Sequence, residues 1–290
     1  MARHRFEEWP LVFFTVLSQM SAGMFVLWGL PACLLPAPNA FSEPPLSFTL
    51  LVAVLVLLVL GGLSAAGHLG RIFGALHALR NLRSSWLSRE ALLAGGFGLS
   101  VGLALLVGLF QTEFGWLDRV LILLGCILAG TLVVGISHLY RLRTVPAWDH
   151  PGTTAEFILT ALLAGTAGLM SVWFALIAFD DGYAIESLLG PLLWASNSLI
   201  VLSGLGQAVL FALKLRVLEK RGLAGAASAA ALRGDLRPVV ILRWLTLLAA
   251  FGILLFGRPP LMALLGYGLV VVSEVIGRYL FYASYRRSGI

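Results

Sequence analysis

The sequence has few charges, few histidines and two cysteines. Charged residues make up 12% of its 290 positions and hydrophobic residues 59%, whereas a soluble domain carries about 25% charged residues. With a mean hydropathy of +0.95, no aqueous core could absorb the apolar surface, so lipid must be the solvent. Cys33 and Cys126 lie in separate apolar segments with no second cysteine near either, and nothing in the sequence suggests that they meet. Iron–sulfur clusters need about four thiolates and structural zinc a similar set, so the chain is expected to hold neither. A bis-histidine haem needs two imidazoles at similar depth. Of His4, His68, His77, His138 and His150, only His68 and His138 fall near segment ends on one side, and none lies mid-segment. No haem is expected. The short alternating segments of a β-barrel are missing too.

What is present is long, continuous and apolar. A membrane-spanning helix needs roughly 20 such residues, and eight segments qualify: about 10–35, 46–68, 90–110, 117–139, 154–179, 187–213, 238–257 and 261–284. The expected fold is all-α, an eight-helix polytopic membrane bundle forming a single domain over 1–290. The first segment lacks the small-residue cleavage site of a secretory signal and reads as a retained helix. Residues 36–45, with Pro36, Pro38, Pro44 and Pro45, read as an irregular loop. Arg258-Pro259-Pro260 reads as a tight reversal that no helix continues through. Residues 69–89 place Ile72, Phe73, Leu76, Leu79 and Leu82 at helical spacing among arginines, as in a helix lying in the interface. The Ala- and Gly-rich stretch 214–237 reads as a mobile polar connection.

The basic residues are sided. The N-terminus, the second, fourth and sixth connections and the C-terminus hold Arg3, Arg5, Arg71, Arg80, Arg83, Arg89, Arg141, Arg143, Lys214, Arg216, Lys220, Arg221, Arg233, Arg237, Arg286 and Arg287. The other connections hold Arg119 and Arg258 with most of the acidic loop residues. Cytoplasmic loops are enriched in Lys and Arg, so both termini are expected in the cytoplasm. The net charge of +6 then follows from insertion, with no nucleic acid implied.

Against this background the polar residues within the spans stand out, because the bilayer penalises them by a few kcal/mol or more. Glu274 and Arg278 sit four apart on the last span and can pair. In an alternating topology His68, Glu90, His138, Glu156, Gln207, Arg243 and Arg278 all fall toward the basic face, with Gln19 deeper in the first span. His68, Arg71 and Glu90 converge around one connection. Histidine takes up a proton near neutral pH and a carboxylate can relay it, as a molecule releasing protons and electrons at the interface would require.

Several islands carry a resemblance. Glu8-Trp9-Pro10-Leu11-Val12-Phe13-Phe14-Thr15 and Gly67-His68-Leu69-Gly70, followed by Leu79, Ser85, Trp86, Leu87, Ser88 and Glu90, resemble the membrane-anchor subunits of dimethyl sulfoxide reductases. So do Thr144-Val145-Pro146-Ala147-Trp148 and Glu274-Val275-Ile276-Gly277-Arg278 with Phe281-Tyr282. The islands keep order and spacing from residue 8 to 282. The resemblance implies an eight-helix anchor without haem in the bacterial inner membrane, partnered by a four-cluster iron–sulfur subunit and a molybdopterin subunit. It implies that the anchor oxidises menaquinol or a related quinol during anaerobic respiration. His68 matches the family histidine implicated in quinol oxidation, and Glu90 the acidic residue after the same connection. Arg71, placed beside His68, is added from its position alone, to hold Glu90 or to stabilise negative charge on the quinol. Gln19 and Arg278 complete the expected quinol-binding set.

The opposite direction of electron flow, into quinone, suits the same sequence. A polytopic transporter is the rival of another class. Transporters show internal repeats and broken helices at mid-membrane. Gly23, Gly29 and Pro31 would have to break the first span, and no repeat of halves is visible.

Overall fold

The computed structural model describes residues 8–36, 41–69, 81–110, 115–179, 186–256 and 260–286. The described residues form nine helices: α1 (Trp9–Leu34), α2 (Pro44–Leu69), α3 (Trp86–Phe110), α4 (Trp116–Tyr140), α5 (Pro151–Phe179), α6 (Glu186–Leu218), α7 (Gly222–Arg233), α8 (Arg237–Phe256) and α9 (Pro260–Ala283). All but α7 are long and apolar enough to cross a membrane. No strand occurs among the described residues. The expected all-α, eight-span architecture is therefore the fold. Leu99, Leu202, Leu245 and Leu248 stand exposed around it, as lipid-facing side chains must.

Helices α1 and α5 form the heart of the bundle. α1 packs on α2, α4, α5 and α9, and α5 also on α6 and α9; α3 lies outside α2 and α4, and α8 outside α9. The central pair is close because it lacks side chains at the crossing. A Cβ on Gly23 would run into the Ala161 carbonyl, and one on Gly165 would meet the Gly23 backbone. Small residues let membrane helices approach in this way. Gly29 likewise lies against Ile122 and Cys126 of α4. These glycines serve packing, and α1 runs unbroken through Pro31. The break in the first span that Gly23, Gly29 and Pro31 offered to a transporter reading is not there. Hydroxyls tie the outer helices in: Ser21 Oγ donates to the Val54 carbonyl at 2.8 Å, Ser64 Oγ to Pro10 at 2.8 Å and Ser100 Oγ to Leu121 at 2.6 Å.

Several boundaries differ from expectation for local reasons. Pro44 and Pro45 open α2 instead of belonging to the preceding loop; the first helical turn needs no N–H there and proline presets φ. Pro10 opens α1 in the same way. The stretch 214–237 is not an irregular connection. α6 continues to Leu218, and the alanine-rich run forms α7. Alanine is the best helix former, and Ser228, Ala229, Ala231 and Leu232 give α7 a buried face. Gly222 makes the corner with φ of +67°, a region glycine enters without steric penalty. Of the proposed interfacial segment 69–89, residues 70–80 lie outside the described set; 81–84 are turn, and Trp86 already belongs to α3. Cys33 and Cys126 are buried and free.

Before α5 the chain is clamped. Val145, Ala147 and Trp148 are buried, Trp148 Nε1 donates to the Phe281 carbonyl at 2.8 Å, and the Trp148 and Phe281 rings stack at 5.4 Å. His150 Nδ1 accepts the Gly152 N–H at 2.9 Å. Burial, then the positive charge of Arg221, holds the His150 imidazole below its ordinary pKa, which keeps that nitrogen free to accept.

Candidate functional site

Hairpin alternation brings the starts of α1, α3, α5 and α8 and the ends of α2, α4, α6 and α9 to one membrane face. The Ser64–Pro10 bond, joining the end of α2 to the start of α1, pins this arrangement. Two polar clusters form beneath that face.

The first is built by α1, α3, α4 and α9. Glu90, one turn into α3, is 3% exposed, and its Oε2 has no hydrogen-bond partner among the described residues. Tyr140 at the end of α4 and Tyr282 at the end of α9 are within electrostatic reach of its carboxylate. Their rings meet edge to face at 5.4 Å, and the Tyr282 hydroxyl lies beside Thr15 of α1. On the outer side of the same helix ends, Trp86 stacks on His138 at 4.8 Å, and Arg89 lies over Trp86 at 4.6 Å. His138 is thereby occupied with an indole and with the Val134 carbonyl at 2.9 Å.

The second cluster is built by α1, α5, α6, α8 and α9. Gln207 is its hub: its amide nitrogen donates to Glu274 Oε2 at 2.8 Å, and its carbonyl accepts from Arg243 at 2.6 Å. Arg243 also pairs with Glu274 at 3.7 Å. Arg278 donates to Gln19 at 2.7 Å and lies 3.7 Å over the Phe157 ring, a cation–π contact strengthened by the dry surroundings. A cavity of about 40 Å³ opens among these side chains, with Glu156 and Lys214 at its rim; those two pair at 3.4 Å.

The expected residues are thus distributed. Gln19 and Arg278 are directly bonded, and Tyr282, one turn beyond Arg278 on α9, is within electrostatic reach of Glu90. The His68 side chain and all of Arg71 lie outside the described residues, although α2 ends at Leu69 on the same face. The expected Glu274–Arg278 pair is replaced by partners on other helices, Arg243 and Gln19. The reason is geometric: both side chains point into the bundle, where α1, α6 and α8 offer better-aligned groups than the neighbouring turn does.

The family can be settled by comparison. A family model described as DMSO reductase anchor subunit (DmsC) matches residues 3–284. The chain belongs to that family. It is 29% identical to the YnfH subunit of anaerobic dimethyl sulfoxide reductase from Escherichia coli over 291 residues, covering 98% of this chain and 96% of the relative. It is 27% identical to the C subunit of anaerobic dimethyl sulfoxide reductase from Haemophilus influenzae over 291 residues, with the same coverage. Identity to the corresponding C subunit of Escherichia coli is 26% over 294 residues, again covering 98% of this chain and 96% of the relative. The DmsC-family assignment and the eight apolar helices together make this a multi-pass membrane anchor subunit.

Within this DmsC-family protein, sequence reasoning missed Tyr140, Tyr282 and Thr15. A signal for Tyr282 was present: it lies four residues after Arg278 and eight after Glu274, on one helical face. Tyr140 carried no such signal, because its neighbours in the cluster come from other helices.

Proposed function

We propose that this anchor binds a quinol at the basic face, beside Glu90, and oxidises it for an iron–sulfur partner subunit docked there. The observation that carries the reading is the buried Glu90 carboxylate, whose Oε2 lacks a partner and which has Tyr140 and Tyr282 within electrostatic reach. An unmet buried acceptor costs about 1–3 kcal/mol, and a quinol hydroxyl is a donor that removes this penalty. Oxidation of a quinol to a quinone releases two electrons and two protons. The electrons leave to the iron–sulfur subunit, which passes them to a molybdopterin catalytic subunit. Glu90 accepts one proton as general base, and His68, at the end of α2, serves as the acceptor of the other. Tyr140 and Tyr282 orient the ring, and the Gln19–Arg278 pair fixes the floor on which Tyr282 stands.

The basic face is then the cytoplasmic one, with both termini inside, in the inner membrane. Protease access to terminal tags in intact cells tests this orientation: an externally cleaved N-terminal tag overturns it. The quinol reading is tested in the reconstituted complex by following quinol oxidation. Glu90→Gln, close in shape, is expected to lose most turnover while the complex still assembles. Full turnover in Glu90→Gln would place the proton acceptor elsewhere.

A further inference from the structure

The cavity of about 40 Å³ in the second polar cluster is walled by ions. Arg243, Glu274, Arg278 and Phe281 line it, with Glu156 and Lys214 at its rim. Glu274 is 1% exposed and Arg278 4%, yet Glu274 Oε1, Arg278 Nε and Arg243 Nε each lack a hydrogen-bond partner among the described residues. Gly277 also lines the cavity. A Cβ there would meet the Arg243 guanidinium at 2.7 Å, so the missing side chain is what lets Arg243 lie against α9. The unmet groups specify the guest. Two N–H groups need an acceptor, and one carboxylate oxygen needs a donor. A halide accepts but cannot donate. A metal cation meets the carboxylate but is repelled by the two guanidinium groups. A hydrocarbon chain satisfies none of the three. Water both donates and accepts, and a buried water makes about three hydrogen bonds. Each water needs about 10–15 Å³ of such space, which leaves room for about three. A single benzene ring takes a cavity of about 150 Å³, so a quinol ring is excluded here.

We infer that this cavity is an internal water site. About three molecules bridge Glu274 Oε1 to the Nε–H groups of Arg243 and Arg278, and they exchange with the basic face past Glu156 and Lys214. Side-chain exposure falls along that route, from 22% at Glu156 through 11% at Arg243 to 1% at Glu274. The role of the waters follows from charge and is independent of the quinol reading. Taking an ion out of water is repaid only by close pairing and further hydrogen bonds, and the Glu274–Arg243 contact is 3.7 Å. Arg278 has no ion pair among the described residues; its hydrogen-bond partners are the neutral Gln19 and Thr160. Ionised groups within membrane spans characteristically pair or face a water-filled cavity. The waters supply the solvation that the protein contacts leave out. They keep Arg243, Glu274 and Arg278 charged where α5, α6, α8 and α9 meet.

Radiolytic hydroxyl-radical labelling reads bound water directly, because a water ionised by an X-ray pulse oxidises the side chain beside it. Phe281, on the cavity wall, and Phe174, in the apolar cluster with Tyr267, are each 5% exposed, so they are equally accessible to radicals formed in bulk. In the full chain embedded in lipid nanodiscs, Phe281 is expected to be labelled severalfold faster than Phe174. Equal rates overturn the water site. Glu274→Leu combined with Arg243→Leu removes two of the three groups that hold the waters, and should bring Phe281 down to the Phe174 rate. An undiminished Phe281 rate in that variant overturns the assignment of the waters to these groups. Should the double variant fail to insert, the density of the unaltered chain at high resolution decides. About three separate peaks are expected within hydrogen-bonding reach of Glu274 Oε1 and the two Nε atoms. A dry cavity, a single peak exchanged by bromide, or the unbroken density of an acyl chain overturns the inference.

Discussion

Among the described residues two glutamates are buried, Glu90 and Glu274, and their surroundings differ. Glu274 Oε2 accepts from the Gln207 amide at 2.8 Å, and its Oε1, without a hydrogen bond, is ion-paired with the Arg243 guanidinium at 3.7 Å. Glu90 has a carboxylate oxygen without a hydrogen-bond partner and no ion pair among the described residues, with Tyr140 and Tyr282 only within electrostatic reach. A carboxylate already held by protein groups joins helices together and has little left to offer a substrate. A carboxylate left short of partners, under the face where an electron acceptor would dock, is placed for chemistry.

That contrast can be broken experimentally. The largest effect is expected on turnover from Glu90→Gln, about a 10²-fold loss or more of quinol oxidation, with complex yield unchanged; the rate is read with a quinol substrate in reconstituted membranes. Glu274→Ala should do the reverse. It leaves the partly buried Arg243 without its counter-charge, a loss of up to about 3 kcal/mol in stability, read as a lower Tm and lower membrane yield. Replacing both partners with leucine should restore most of that loss, since a buried pair exchanged for apolar groups is near neutral. If Glu90→Gln lowers yield as much as Glu274→Ala does, the contrast fails. Tyr282→Phe should have a smaller effect, about fivefold on kcat/KM, as fits one hydrogen bond of about 1 kcal/mol. The smallest effect is at His150. Its pKa is lowered in the folded protein, so the unfolded chain binds the proton more readily. Stability should therefore be fully present at neutral pH and above, and decline as pH falls through the ordinary histidine value of about 6.5. His150→Asn, which retains an acceptor, should flatten that decline in a pH series of Tm values.

The spans were legible because each is a continuous apolar run, and lipid enforces that pattern on every helix separately. The first, from Trp9 to Leu34, and the fourth, from Trp116 to Tyr140, start and stop within a residue of the boundaries expected from apolar length. α7 was not legible in this way. It lies outside the apolar runs, and its helix comes from alanine propensity and from packing on α6 and α8, neither of which hydropathy reports. The site was half legible. Polarity in the wrong solvent singled out Glu90, Gln19, Gln207, Arg243, Glu274 and Arg278, but not which of them pair. Gln207 and Glu274 are 67 residues apart, and the i,i+4 rule that suggested a Glu274–Arg278 pair sees one helix at a time. Where several helices converge, cross-helix geometry decides.

The bond from Arg278 to Gln19 joins residues 259 positions apart, from the first span to the last. A polypeptide emerging from the ribosome therefore presents Gln19 to the membrane long before its partner has been made. Any product truncated before α9 lacks both Arg278 and Tyr282, and so leaves Gln19 without its partner and Glu90 without one of the two tyrosines within its electrostatic reach. On the proposed function, an anchor that ends before α9 is expected to bind no quinol.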